Sequence, residues 1–363
     1  MPQPIRRLAY IQVVALRSSP MSEATGIDHD RVGAWLDANV VTAQGPYHYT
    51  LIAGGHSNLT FAVEDSGGGR YVLRRPPVSH VLAGAHDMGR EYRIIAALHR
   101  TTVPVPSALG FCDDLDVNGA PFYVMGFVDG TVVRTKEQGE KLTPDQRWAA
   151  GMSLADTMAA IHGVDVDTIG LGDLGRHDGY IARQLKRWYS NWQTQRTREL
   201  PAVDQVHDEL ARRIPDQQGV SVVHGDYRLD NCIVGPDGRI VAVLDWEICT
   251  LGDPMADVGL LQVYHTGPDD VPSAWTPDAT TLRGFPNRAD LLRRYGEVTG
   301  RDLSHIDFYV AFAFWKLACI LEGVYARYLG GALGQRNPAE LAPFKMQVEA
   351  AAQRAVDALA QLG

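Results

Sequence analysis

The stretch Val223-His224-Gly225-Asp226-Tyr227-Arg228-Leu229-Asp230-Asn231, followed by Val243-Leu244-Asp245, constrains this chain more than any other. It sets two carboxylates and an amide around two short apolar strands, the residue set of a phosphoryl-transfer site. Asp226 stands five residues before Asn231, so a tight loop turns both side chains inward. A Gly235–Gly238 turn then leads to a second strand that ends at Asp245. Phosphoryl transfer needs a base for the incoming hydroxyl and hard oxygen ligands for magnesium. Asp226 suits the first role, and Asn231 and Asp245 the second. Taken singly, an Asp in a Gly-rich turn reads as a cap or turn former. The combination, with His224 and the strand-turn-strand context, carries the catalytic reading.

A chain of 363 residues is long enough for two domains or one large one. Its apolar share of 45% and charged share of 21% are those of an ordinary folded protein. The formal charge of -9 argues against a bulk electrostatic grip on nucleic acid or an anionic membrane, although a local basic pocket can still hold a polyphosphate. Cys112, Cys232, Cys249 and Cys319 form neither a CxxC pair nor a disulfide framework, and the N-terminus carries no recognisable secretory segment. A cytoplasmic location is the expectation. The late apolar run Phe308–Leu321 contains Lys316 and is short for a bilayer, so it reads as a buried core helix.

Up to about residue 48 a helical pattern (Arg31, Val32, Trp35, Leu36) mixes with loop signals. From Tyr49 the signal changes to strands: Thr50-Leu51-Ile52, Thr60 to Glu64 and Tyr71 to Arg75, with glycine turns between them. Asp87 to Arg100 predicts a helix, and Pro121 to Gly130 a last strand emptying into a linker. Residues 1–130 are therefore expected to form a strand-rich nucleotide-binding lobe with a leading helical extension. Residues 131–363 are expected to form a helical lobe with the catalytic hairpin and acceptor site. In that lobe Thr143-Pro144-Asp145-Gln146 predicts a capped helix start running to His162, where the imidazole is expected to sit against the helix carbonyls. Further helices are expected over Gly179–Gln193, Asp290–Gly296, Ile306–Tyr328 and Leu341–Leu362. Trp188 and Trp192, four apart, share one face.

A nucleoside triphosphate also needs backbone amides over its phosphates and a fixed cation near the inner ones. Gly54-Gly55-His56-Ser57-Asn58, between two strands, supplies the first; neither a full GxGxxG nor a GxxxxGK[ST] motif is present. For the cation, strand alternation turns Val72 and Arg74 to one side and leaves Arg75 on the other, expected in solvent. Glu91 on the next helix is expected to orient Arg74. The expected nucleotide-binding set is thus Gly55, Ser57, Asn58, Arg74, Glu91, Met125 and Phe127.

These residues resemble the aminoglycoside phosphotransferase-like kinases, a branch of the protein-kinase-like fold. His224-Gly225-Asp226 with Asn231 matches that family's catalytic loop, Asp245-Trp246-Glu247 stands where protein kinases carry Asp-Phe-Gly, and Gly252-Asp253-Pro254 with Asp257 continues the pattern. The resemblance spans about 50–330. It implies an α+β, bilobal fold with an N-terminal antiparallel sheet lobe and a larger helical lobe. It also implies ATP (or GTP) and Mg2+ as cofactors, Asp226 as base, Asn231 and Asp245 as metal ligands, and Arg74 where a lysine is usual. Val72 to Pro77 and Gly89-Arg90-Glu91-Tyr92 look most like the kinase-like modules associated with acyl-CoA dehydrogenases, some of which handle hydroxylated fatty acyl groups.

The acceptor is expected to be a small hydroxylated molecule, a hydroxyacyl compound in preference to an aminoglycoside. Trp192, Trp246, Tyr264, Trp275, Phe312, Trp315 and Tyr325 offer an apolar-leaning inventory for its pocket, although most such aromatics are expected to be core. Against the net charge, Arg183, Lys186 or Arg187 would supply local basic groups. Two other classes compete: a nucleotide-binding pseudokinase scaffold, suggested by Arg74 in place of lysine, and a zinc hydrolase using His224 and Asp226. Oligomeric state is not legible.

Overall fold

In the computed structural model the described residues are 26–53, 58–77, 87–270, 276–331 and 338–362. The described residues up to Val132, with Val241–Glu247, form one compact unit; Val133–Ile240 and the residues from Ile248 onward form another.

The first unit holds α1 (His29–Asn39), β1 (His48–Ala53), β2 (Leu59–Glu64), β3 (Arg70–Arg75), α2 (Met88–Leu98), β4 (Ala108–Cys112), the one-turn α3 (Leu115–Asn118) and β5 (Phe122–Gly126). Its five strands lie in the order β1-β2-β3-β5-β4, every pairing antiparallel. Alternation sorts the side chains. Phe61, Val63, Tyr71, Leu73, Phe122 and Val124 meet Val32 and Leu36 of α1 in one core. Val72 and Arg74 take the opposite direction, as strand period two requires, and Glu91 of α2 pairs with Arg74 there.

Arg75 is a correction. It lies on the α1 side but is only 7% exposed. Its guanidinium donates to the carbonyls of Pro76 and Asn118 at 3.2 and 3.3 Å and also to that of Gly26. The helices covering that sheet face close over it, and backbone carbonyls replace water. Burial lowers its proton affinity.

The second unit is mostly helical: α4 (Lys136–Gly139), α5 (Pro144–His162), α6 (Tyr180–Gln195), α7 (Pro201–Arg212), α8 (Met255–Tyr264), α9 (Arg288–Thr299), α10 (Ile306–Leu329) and α11 (Pro338–Leu359). Short strands β6 (Ser221–Val223) and β9 (Thr250–Gly252) pair antiparallel, and β7 (Cys232–Val234) is followed by the Gly235–Gly238 turn and β8 (Ile240–Val243), of which Val241–Val243 belong to the first unit. The α5 start carries the expected capping box, with Gln146 N–H on the Thr143 hydroxyl and Thr143 N–H on the Gln146 side chain. Helix α10 is long and apolar enough to cross a membrane by composition, yet 72% of its apolar window is buried inside the protein, so it is the core helix expected.

Candidate active site

In the helical unit the loop after β6 holds the expected base. Gly225 adopts φ 85° and packs so closely that an added Cβ would stand 3.1 Å from the Ile248 side chain. The positive φ is what favours glycine there, since the exposed Ile248 side chain can shift. The buried Asp257 carboxylate fixes this turn from below, accepting the backbone N–H of His224 at 2.7 Å and of Gly225 at 2.9 Å. Burial works against its charge, but His162, His224 and the Gly225 N–H outweigh it and hold the carboxyl below its ordinary value. The Asp226 side chain is 26% exposed. Asn231 donates to the Asp226 carbonyl at 2.8 Å and to its carboxylate at 3.0 Å, so the five-residue spacing does bring the two together. Arg228 approaches the same carboxylate oxygen at 3.4 Å. The Asn231 amide nitrogen is thereby committed to Asp226, which leaves its carbonyl oxygen as the atom suited to a hard cation.

His162 departs from expectation. Its ring is buried, with Nδ1 2.8 Å from the Tyr295 hydroxyl and Nε2 3.4 Å from Asp257, because α9 and α8 supply polar partners that outcompete helix carbonyls. It is a support for Asp257. His224 is likewise fully buried, its Nδ1 accepting the Asp226 N–H at 3.3 Å. Among the described residues no three His, Cys, Asp or Glu side chains gather as a metal cage. A magnesium ion in a kinase is held by one or two protein oxygens plus phosphates, and the Asn231 carbonyl oxygen and the Asp245 carboxylate are each of that donor type.

In the sheet unit, Arg74 is 5% exposed and gathers carboxylates: Asp245 at 2.6 Å, Glu91 at 3.3 Å and Glu247 at 3.6 Å. Burial opposes its charge, and these carboxylates, Glu91 foremost, raise its affinity for the proton well above the ordinary value. Burial also pushes the Glu91 carboxyl up, against the pull of Arg74. The Asp245-Trp246-Glu247 segment is anchored here from several sides. The Trp246 indole donates to the Val243 carbonyl at 3.1 Å, and the Val243 N–H to the Pro104 carbonyl at 2.8 Å. Asp245 has φ 66°, the one positive value at a non-glycine residue among the described residues. Such backbone is uncommon outside glycine and clusters at functional positions.

Of the other expected nucleotide residues, Gly55 and Ser57 lie outside the described residues. Asn58 is buried and donates to Glu247 at 3.4 Å. Met125 is buried on β5 opposite Val72, and Phe127, half-buried, carries the Arg70 guanidinium 4.5 Å above its ring. Most of the described aromatic inventory is core, with Tyr264 and Tyr325 half-buried. Trp192, Trp246 and Trp315 are fully buried and Phe312 nearly so, packed as core, with the Trp315 indole donating to the Val203 carbonyl. Trp275 lies outside the described residues. Sequence reasoning missed Glu247 as an Arg74 partner and Lys316 as a neighbour of the Asp226 loop; an acidic residue two after a metal-type Asp was a usable signal for the first.

An antiparallel five-stranded unit with one helix behind its cationic strand, and a larger helical unit bearing the Asp-Asn loop, define a protein-kinase-like fold. The pattern of the phosphotransferase enzyme family (APH) matches residues 48–296, and the chain belongs to that family. It is 33% identical over 317 residues to the mouse acyl-CoA dehydrogenase family member 10, covering 86% of this chain and 30% of that one. To the rat acyl-CoA dehydrogenase family member 11 it is 35% identical over 290 residues, covering 78% and 37%. The chain thus spans about a third of the length of these relatives. A solved structure from Ralstonia eutropha, a candidate aminoglycoside phosphotransferase, superposes with a TM-score of 0.76 at 33% identity, covering 91% of this chain and 98% of that one. Family and fold match the ATP-using phosphotransferases that act on small-molecule hydroxyls.

Proposed function

We propose that the chain moves the terminal phosphoryl group of ATP or GTP to the hydroxyl of a hydroxyacyl compound. Asp226 takes the hydroxyl proton as the oxygen attacks phosphorus and ADP leaves. Asn231 and Asp245 hold Mg2+, which would neutralise charge on the phosphates when bound. Arg74 contacts the inner phosphates with Glu91 and Glu247 orienting it, and Asn58, Met125 and Phe127 border the nucleotide. The observation that carries the phosphoryl-transfer roles is the Asn231 amide committed to Asp226 at 3.0 Å, which aims one side chain at the hydroxyl and frees the other's oxygen for a cation. The acyl acceptor rests on likeness to relatives named as acyl-CoA dehydrogenase family members, and a place beside an acyl-CoA dehydrogenase is part of the same reading.

The test is a phosphate-transfer panel of hydroxyacyl-CoAs, free hydroxy acids, aminoglycosides, choline-like alcohols and sugars, run with ATP and GTP across a magnesium titration. Transfer to an acyl compound is expected. Efficient turnover of aminoglycosides with none of the acyl compounds would overturn the acceptor. For the metal role, Asp245→Asn should abolish magnesium-dependent nucleotide binding, and unchanged turnover in that variant would sink the assignment.

A further inference from the structure

Lys316 is a buried ammonium with too little around it. It sits on α10, 9% exposed, and its three donors meet one acceptor among the described residues, the Gly225 carbonyl at 3.5 Å. That distance is the outer limit of a hydrogen bond. No described carboxylate pairs with it. The Asp257 oxygens serve His224, Gly225 and His162, and the Asp226 carboxylate receives Asn231. A desolvated charge left in this state is costly unless something else completes its shell.

Its surroundings indicate what does so. The Lys316 nitrogen stands 5.9 Å from the centroid of the Trp188 ring on α6, and the Arg187 guanidinium 5.6 Å from the same ring. The Trp188 indole nitrogen is fixed on Gln184 at 3.0 Å, so the ring is held in place. Two cations therefore flank one aromatic ring beside the carbonyl of the residue that precedes Asp226. Burial foremost, with Arg187, lowers the lysine's proton affinity below its ordinary value, against the pull of Asp257 and Asp226. A polycationic acceptor would be repelled here, and an anionic one drawn in.

We propose that Lys316 is a specificity-determining residue that receives an oxyanion of the acceptor, with Arg187 and the Trp188 ring completing the subsite. This rests on the phosphotransferase reading above and narrows its acceptor to an anionic hydroxy compound. The oxyanion is the carboxylate of a free hydroxy acid or a phosphate of its CoA thioester, and the two sources separate experimentally.

Equilibrium binding of 3-hydroxydecanoate, 3-hydroxydecanamide and 3-hydroxydecanoyl-CoA is measured by calorimetry without nucleotide, for wild type, Lys316→Met and Lys316→Arg. At least one anionic form should bind wild type about tenfold or more tighter than the amide, as expected of a charge-assisted hydrogen bond. The form that does so names the source of the oxyanion. Lys316→Met should collapse that preference towards unity and Lys316→Arg should keep it. Wild type binding the amide as tightly as both anionic forms overturns the proposal, as does a preference that survives Lys316→Met. The wild-type comparison decides even where the methionine variant does not fold. Because no phosphate is transferred in this assay, failure of all three compounds as phosphoryl acceptors would count against the hydroxyacyl reading alone.

Discussion

Around Arg74 three carboxylates converge on one buried cation, whereas around Asp257 one buried carboxylate gathers two backbone N–H groups and an imidazole. The two arrangements fail differently. Carboxylates that lose their cation can take up protons, and two of the three keep some exposure, 15% for Asp245 and 28% for Glu247. Backbone N–H groups that lose their acceptor have no such escape, because they cannot change charge. The cluster in the sheet unit is therefore a tunable electrostatic site, and the one in the helical unit a rigid support for loop geometry.

The largest effect is expected where geometry meets chemistry. Asp226→Asn should lower kcat by on the order of 10²–10⁴-fold while leaving nucleotide binding in place, measured by single-turnover phosphate transfer alongside nucleotide titration. Next comes the support beneath it. Asp257→Ala strands the His224 and Gly225 N–H groups and should cost about 3–5 kcal/mol in urea unfolding.

Arg74→Ala should cost less, about 2 kcal/mol, and should raise the KM for nucleotide, with Arg74→Lys retaining partial function. Equal nucleotide affinity in wild type and Arg74→Ala would break the contrast and show the cation misassigned. Acid sharpens it, because the two clusters respond with opposite sign. Asp257 sits below its ordinary value, so its stabilisation is full at neutral pH and fades only as pH falls below about 4. Glu91 is pushed up by burial, and without Arg74 it is pushed further, so the Arg74→Ala deficit should shrink as pH is lowered from 8 to 5. A deficit that grows over that range would reverse the assignment. The smallest effect is Tyr295→Phe, which removes one hydrogen bond to His162 and should cost about 1 kcal/mol.

Much of this was legible locally. The Thr143 capping box, the alternation that pairs Arg74 with Glu91, and the Asp226-Asn231 spacing all act within a few residues or across one strand-helix step. What was not legible depended on distant partners. Asp257 reaches His224 across 33 positions, and His162 reaches Tyr295 across 133, so no window of sequence displays either contact. Helix α8 buries nearly every residue and offers no amphipathic stripe, while α7, with Val203, Val206 and Leu210 on one face, was a readable pattern left unread. Arg75 was misjudged because alternation gives the direction of a side chain but says nothing of what covers that face. In the sequence Lys316 reads only as a charge interrupting an apolar run; its neighbours come from α6 and the Gly225 turn.

The left-handed backbone at Asp245 narrows which sequences can occupy that position at all. Most side chains pay about 1–2 kcal/mol to sit there, and only Gly, Asn and Asp visit it routinely. Drift at position 245 is therefore filtered twice, once by the shape of the chain and once by the need for a carboxylate. A descendant that abandoned catalysis but kept its fold would be expected to carry Asn or Gly at 245, leaving a readable mark of retirement in its sequence.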